Sequence, residues 1–463
     1  MKRMIMLAVL CAFVLSAAAA SAADIKASGA WAVEAIWQSN WGFNDNGATN
    51  AEAKNDNFEV SQRARTIFDF VANENLKAVL YTAYGTQEWG QGALAIGAGD
   101  GNSATTGGTR NTIQVKQAYI DFNYPDTDVH VRVGYQGVAL PAAIGGGSYI
   151  LDEEAAAAVV SGPITDNVSY LVGYTRAQES ANEEHKGYID AYVAALPMSF
   201  DGFTFQPFGM YAPIGSGVKA ADTPDGLRAI NATDGTGDSF DNAYWLGAAF
   251  TMDLFDPFVV KADLNYGKVA SDIEANERSG WLFDAAVEYK GFDFMTPELT
   301  FVYTSGEDGN GSNDLSSERM PVLAASNWAI GSFFFGGDTL LDGTLADRNE
   351  YMGFWALALS LKDIQSFTEG LTHTAHIVYA QGTNDKNIND TGISGNSWDY
   401  GNSLTEKDSL WEVDFNTAYK LYDELTMTLD LGYVNLDADE AVWGADYKGG
   451  DAWKVSTGIV YKF

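Results

Sequence analysis

The chain has 463 residues, 46% of them hydrophobic and 13% aromatic, and carries a formal net charge of -35. So acidic a chain is a poor partner for nucleic acid, and so apolar and aromatic a chain is not a disordered acidic tail. No apolar run beyond the N-terminus is long enough for a transmembrane helix.

The N-terminus reads as an export signal spanning residues 1–23. Lys2 and Arg3 form its charged region, Met4 to Leu15 its apolar core, and Ala20-Ser21-Ala22 or Ser21-Ala22-Ala23 its cleavage site. The sole cysteine, Cys11, falls inside it, so a mature chain 24–463 has no disulfide framework. Loss of Lys2 and Arg3 takes the net charge to -37.

The first strand is expected from Ile25 to about Gln38. It begins with the small residues Ala27-Ser28-Gly29-Ala30, which would suit close packing between barrels. Next, Arg63 and Arg65 share a face with Glu59, Ser61 and Asp69, while Phe58, Val60, Phe68 and Phe70 take the other. A fifth strand is expected over Val129–Gln136. There Arg132 shares its face with His130 and Gln136, a less clean alternation. The connection that follows, Gln136 to Ala158, contains Pro141 and the run Gly145-Gly146-Gly147, which set sharp bends. Ala155–Ala158 is expected as a short helical turn, with Asp152, Glu153 and Glu154 at its acid-favouring start.

Alternation is clearest in the second half. Phe258, Val260, Ala262, Leu264 and Tyr266 oppose Lys261, Asp263 and Asn265. Trp281, Phe283, Ala285, Val287 and Tyr289 oppose Asp284 and Glu288. Trp411, Val413, Phe415, Thr417 and Tyr419 oppose Glu412, Asp414 and Asn416. A soluble core seldom sets so many charges behind so many aromatics, strand after strand. Short turns are expected at Ala72–Asn75, Pro125–Asp128, Thr165–Asn167, Pro197–Gly202, Asp253–Asp256, Gly291–Thr296, Asp363–Gly370 and Tyr422–Glu424. Between them lie long Gly/Asn/Asp/Ser-rich connections, such as Gly90–Asn111, Pro213–Asp241, Gly306–Asn349 and Gln381–Glu406. The last strand, Trp453–Phe463, ends on the final residue with an apolar face. Alternating strands with alternately short and long connections predict a one-domain, all-β, antiparallel transmembrane barrel. The count is eighteen strands, with sixteen as the alternative, and both termini lie on the periplasmic side. A barrel of that size leaves an aqueous channel.

The chain resembles the general homotrimeric porins of Gram-negative outer membranes, and more narrowly those of sulfate-reducing bacteria. The likeness rests on the signal peptide, KQAYIDF at Lys116–Phe122, VHVRVGYQGVALP at Val129–Pro141, and the terminal YKF at Tyr461–Phe463. It implies an outer-membrane channel for ions and small hydrophilic solutes, assembled as a homotrimer amid lipid and lipopolysaccharide. It implies that the third external loop folds into the barrel, with Asp152, Glu153 and Glu154 on the acidic side of a constriction. Arg63, Arg65 and Arg132 would form the basic side, with Lys77 and Lys116 as weaker candidates. By the same likeness, Phe463 belongs to the signal read by the barrel-assembly machinery. Opposed charges across a pore set up a transverse field, and rings of carboxylates favour cations. The whole-chain acidity predicts a mild cation preference, and the three arginines oppose it.

No catalytic set emerges. His373 and His376 alternate faces on a strand and make a poor metal pair, and His130 and His185 are isolated. No G-x-S-x-G elbow or P-loop is present. The Asp308–Asp314 segment has calcium-style oxygens without the closing bidentate glutamate, so it reads as a solvated loop. No enzyme, cofactor or metal is expected. An adhesin or barrel-bound enzyme working through external loops is the alternative.

Overall fold

The computed structural model describes residues 23–40, 43, 57–90, 113–179, 187–216, 218, 225–227, 241–309, 316–325, 328–336, 340–341, 352–387, 404–444 and 449–463. The expected signal residues, Cys11, His185 and most of the Asp308–Asp314 segment lie outside that set.

The strands are β1 Asp24–Ser39, β2 Asn57–Asn73, β3 Leu76–Glu88, β4 Ile113–Asn123, β5 His130–Ala139, β6 Asp152–Thr165 and β7 Val168–Glu179. There follow β8 Tyr188–Ala195, β9 Met198–Phe200, β10 Phe203–Pro213, β11 Asn242–Phe255, β12 Phe258–Ala270 and β13 Arg278–Tyr289. The remainder are β14 Thr296–Thr304, β15 Phe354–Gln365, β16 Leu371–Gly382, β17 Ser409–Tyr422, β18 Leu425–Asp437 and β19 Gly449–Lys462. β8 and β9 are two pieces of one stave. Both pair with β7 and with β10, and Leu196-Pro197 interrupts them where proline cannot donate to the ladder. Each stave pairs antiparallel with its sequence neighbours, and β1 pairs with β19, so eighteen staves close into a barrel. All eight short turns fall where the sequence placed them.

Closure occurs along Ala30↔Lys462 to Ser39↔Trp453. Beyond that ladder, Phe463 N–H donates to Gly29 O at 3.1 Å and Gly29 N–H donates to Phe463 O at 3.0 Å. A Cβ on Gly29 would lie 2.2 Å from Arg65 O and 3.1 Å from the Phe463 ring. The early small residue therefore serves the closure seam, where three backbones crowd together.

The two faces follow from alternation. On β1, Trp31, Val33 and Trp37 are exposed on the outside while Ala32, Glu34 and Ile36 are buried within. The outer face carries aromatic pairs near both rims. Trp37–Phe58, Tyr266–Trp281 and Tyr379–Trp411 lie toward the external ends, with ring centroids at 4.4, 4.7 and 4.9 Å. Phe258–Tyr289, Phe292–Phe294 and Tyr461–Phe463 lie toward the short turns. An apolar band between aromatic girdles is the signature of a barrel in lipid, where only a closed sheet satisfies every backbone group.

One local expectation is corrected. Ala155–Ala158 is strand, not a helical turn, and β6 begins already at Asp152. Continuous pairing with β5, from Ala139↔Asp152 to His130↔Ser161, outweighs the helical preference of four alanines. The third external connection is thus 140–151, and the three acids sit on its β6 stem.

Candidate functional site: the lumen and its loops

The lumen face of each stave carries the charges. Arg132 is opposite Val159 and shares its face with His130 and Gln136, so it points inward. Its Nε lies 3.4 Å from Asp121 Oδ2, and its guanidinium lies 5.1 Å from the Tyr119 ring centroid. His130 Nε2 meets the other oxygen of Asp121 at 2.6 Å. Gly134, opposite Tyr119, has φ +135°, and a Cβ there would stand 2.7 Å from Tyr119 Cα. That glycine makes room for the ring that the arginine covers. Beside it a cavity of about 260 Å³ is lined by Arg132, His130 and Gln136 against Val138, Leu140 and Val159.

Arg63 and Arg65 both face the lumen, opposite Ala32 and Ala30. Their surroundings differ. Arg63 donates through Nη1 to Leu341 O at 2.9 Å and through Nη2 to Leu340 O at 2.8 Å. It holds a loop that comes from β14–β15, across the barrel. Arg65 has a buried Nε without a hydrogen-bond partner, and no described carboxylate lies within ion-pair distance of it.

The acids on β6 are not brought opposite these arginines. Glu154 pairs with Lys116 on β4 at 2.6 Å, and Asp152 donates its backbone N–H to Ala324 O at 2.7 Å. Glu153 is exposed and accepts from the Glu154 N–H. Lys77 pairs with Asp69 at 3.3 Å. Two other carboxylates meet the loops directly. Asp263, a lumen residue of β12, accepts the Ala143 N–H at 2.9 Å and the Ile144 N–H at 3.0 Å. Connection 140–151 thus touches a stave five positions beyond β6, its own stem, with β8 and β9 taken as one.

The connection 305–353 does more, and the sequence reading took it for an ordinary external loop. Glu412 on β17 accepts four successive backbone N–H groups. Ser332, Phe333 and Phe334 reach its Oε1 at 3.1, 2.8 and 3.0 Å, and Phe335 reaches Oε2 at 3.2 Å. Asp414 takes Ser332 N–H as well, at 2.9 Å. Elsewhere along the segment, Trp245 Nε1 donates to Pro321 O, and Arg278 donates to Arg319 O and Met320 O. Leu323 and Ala324 donate to Ile150 O, joining this connection to the shorter one.

These two connections carry much of the buried apolar cluster, including Tyr149, Ile150, Met320, Val322, Trp328 and Phe333. A chain of rings runs Phe43–Phe334–Phe335–Phe354–Trp328–Tyr149, with centroids 6.2, 4.9, 5.3, 5.0 and 3.4 Å apart. The missed signal was the run WAIGSFFF at 328–335: apolar, too long to leave in water, yet with neither strand nor helix period. Among the described residues, no group of three or more His, Cys, Asp or Glu is placed to hold a metal.

A closed eighteen-stave barrel with a lipid-facing apolar belt and a charged lumen is a transmembrane barrel of the outer-membrane, porin type. No family model matches the chain, and no curated protein matches it. Solved structures do. The outer membrane protein OprD from Pseudomonas aeruginosa matches with TM-score 0.52 and 12% identity, over 94% of each chain. OccAB1 from Acinetobacter baumannii matches with TM-score 0.54 and 12% identity, over 95% of this chain and 97% of that one. OccK11 (OpdR) from Pseudomonas aeruginosa matches with TM-score 0.52 and 11% identity, over 95% and 96%. At such identity the likeness is one of fold. It supports the outer-membrane barrel and eighteen staves, and it does not support the narrower likeness to porins of sulfate-reducing bacteria.

Proposed function

We propose that this protein is an outer-membrane porin, a water-filled channel for passive diffusion of ions and small hydrophilic solutes. The observation that carries the reading is a closed barrel whose inner face is lined by charges. A barrel serving only as an anchor has no need of Arg65, Arg132 and Asp263 on its inner wall.

The constriction is read as the two connections 140–151 and 305–353 folded into the lumen, with Asp152, Glu153 and Glu154 at the stem of the first. Arg63, Arg65 and Arg132 are the basic wall. Arg63 supports it by holding Leu340 and Leu341, which leaves Arg65 and the far side of Arg132 to meet solutes. The hydrogen bonds from Ala143 to Asp263 and from Phe333 to Glu412 support the inward fold. Assembly is read as a homotrimer in lipid and lipopolysaccharide after signal cleavage near Ala23, with Phe463 presented to the barrel-assembly machinery.

The test is conductance. Purified protein in a planar bilayer gives stepwise openings, in groups of three if trimeric. A membrane that stays silent while the protein is inserted removes this reading and favours an adhesin.

A further inference from the structure

We propose that the cavity beneath the 329–336 turn is a binding subsite for a neutral polyhydroxylated solute, a sugar or polyol, passing through the lumen. The proposal rests on the channel reading and names a solute class for it. The cavity holds about 350 Å³ between that turn and the inner wall of β16, β17 and β18. At about 30 Å³ per water this is room for roughly a dozen non-hydrogen atoms, the size of a hexose.

Its chemistry sets the class. Thr372 and Thr374 alternate with outward residues on β16 and lie opposite Ala418 and Asn416. Ser332 comes down from the turn, and its Oγ lies 3.2 Å from Asn416 Oδ1, which leaves the Asn416 amide N–H₂ as a donor. Thr428 Oγ1, from β18, is shielded and has no hydrogen-bond partner. His376 also lines the cavity. Its Nδ1 is engaged by Ser360 Oγ at 2.7 Å, which leaves the other ring nitrogen for a solute. Hydroxyls, an amide and an imidazole each offer donors and acceptors, and a solute hydroxyl is likewise both. No lysine or arginine is among the described lining residues, and one carboxylate, Asp430, is. An anion would therefore meet repulsion without compensation.

The site is also built in place. Glu412 and Asp414 fix the turn through five N–H bonds, so the roof stands at its position before any solute arrives. The wall cavity with Arg132 and His130 among aliphatic side chains is chemically unlike it.

Two measurements on the full-length protein separate the subsite from the channel. Calorimetry with glucose and sorbitol on detergent-solubilised protein reads binding directly. Bilayer recordings with the same solutes read interruption of the ion current. Asn416→Leu combined with Thr374→Val removes two partners and weakens glucose binding about tenfold or more. Thr374→Ser keeps the hydroxyl and keeps the affinity, which guards against a variant that merely misfolds. Binding unchanged in the double variant overturns the proposal. So does binding of 1,4-diaminobutane or glutamate in preference to both polyols. A silent bilayer with polyol binding intact overturns the channel and leaves the subsite standing.

Discussion

Glu412 shows how one side chain can decide the shape of a pore. Four backbone N–H groups, from Ser332 to Phe335, converge on its two oxygens. Glu412→Gln keeps the size but turns two donors toward donors. The turn is expected to lose about 1–3 kcal/mol of its hold on the wall. Single-channel current should become noisier and protease cleavage near 329–336 faster. Quiet current and unchanged cleavage would mean that the turn is held elsewhere. Glu307 is a second case, on the external rim beyond β14. Burial pushes its pKa up to about 7, against the Ser317 hydroxyl donated at 2.6 Å and the charge of Arg319. The folded state therefore favours the protonated form. That stabilisation is complete below the ordinary value of 4.5, and it is lost as pH rises through about 7. Amide exchange at Ser317 and Asp385 should quicken above neutral pH, and Glu307→Gln should flatten the dependence.

Among the elements, the staves were legible and the loops were not, for a physical reason. A half-lipid, half-water strand must alternate, and a short turn must carry Asn, Asp, Gly or Pro, so both leave marks with a fixed period. Those marks located eight turns and the shared face of Arg63 and Arg65, while the less clean alternation around Arg132 left its facing open. An inward loop obeys no period. Its partners are Asp263, Glu412 and Arg63, more than a hundred residues away for the first connection and about eighty or more for the second. Asp152–Glu154 illustrate the gap: their acidity suggested a loop, whereas the ladder with β5 makes them strand. The belt allows a sharp test at this scale. Leu359 lies outward on β15, between Leu299 and Ile377, and is 42% exposed. Leu359→Arg places a charge in the apolar band at a cost of about 2–4 kcal/mol. Lower heat stability of the folded barrel in gel mobility is the expected result, and the inward Ser360→Arg should be tolerated better.

For the whole molecule, the issue is whether the constriction proposed above, if the connections form a plug, is a gate or a fixed part of the wall. The buried apolar cluster is shared between the connections and the inner faces of the staves, whose outer apolar faces meet lipid. The ring chain from Phe43 to Tyr149 joins three connections, and all six rings are buried. Rings so packed contribute well beyond one contact each, and a moving plug would have to expose them to water. The structure therefore predicts a static constriction. The sequence has a single cysteine, Cys11, so an introduced pair would be the only thiols from residue 12 onward. Ser332→Cys with Asp414→Cys joins the turn to β17 where the Ser332 N–H now meets the Asp414 carboxylate. For a static plug, oxidation and reduction leave the open-channel conductance equal, with no long closures in either state. For a gate, oxidation locks one level and reduction restores switching between two. Loss of conductance only in the reduced form would show that the plug depends on this one anchor, and the ring chain would then carry less of the load than its burial implies.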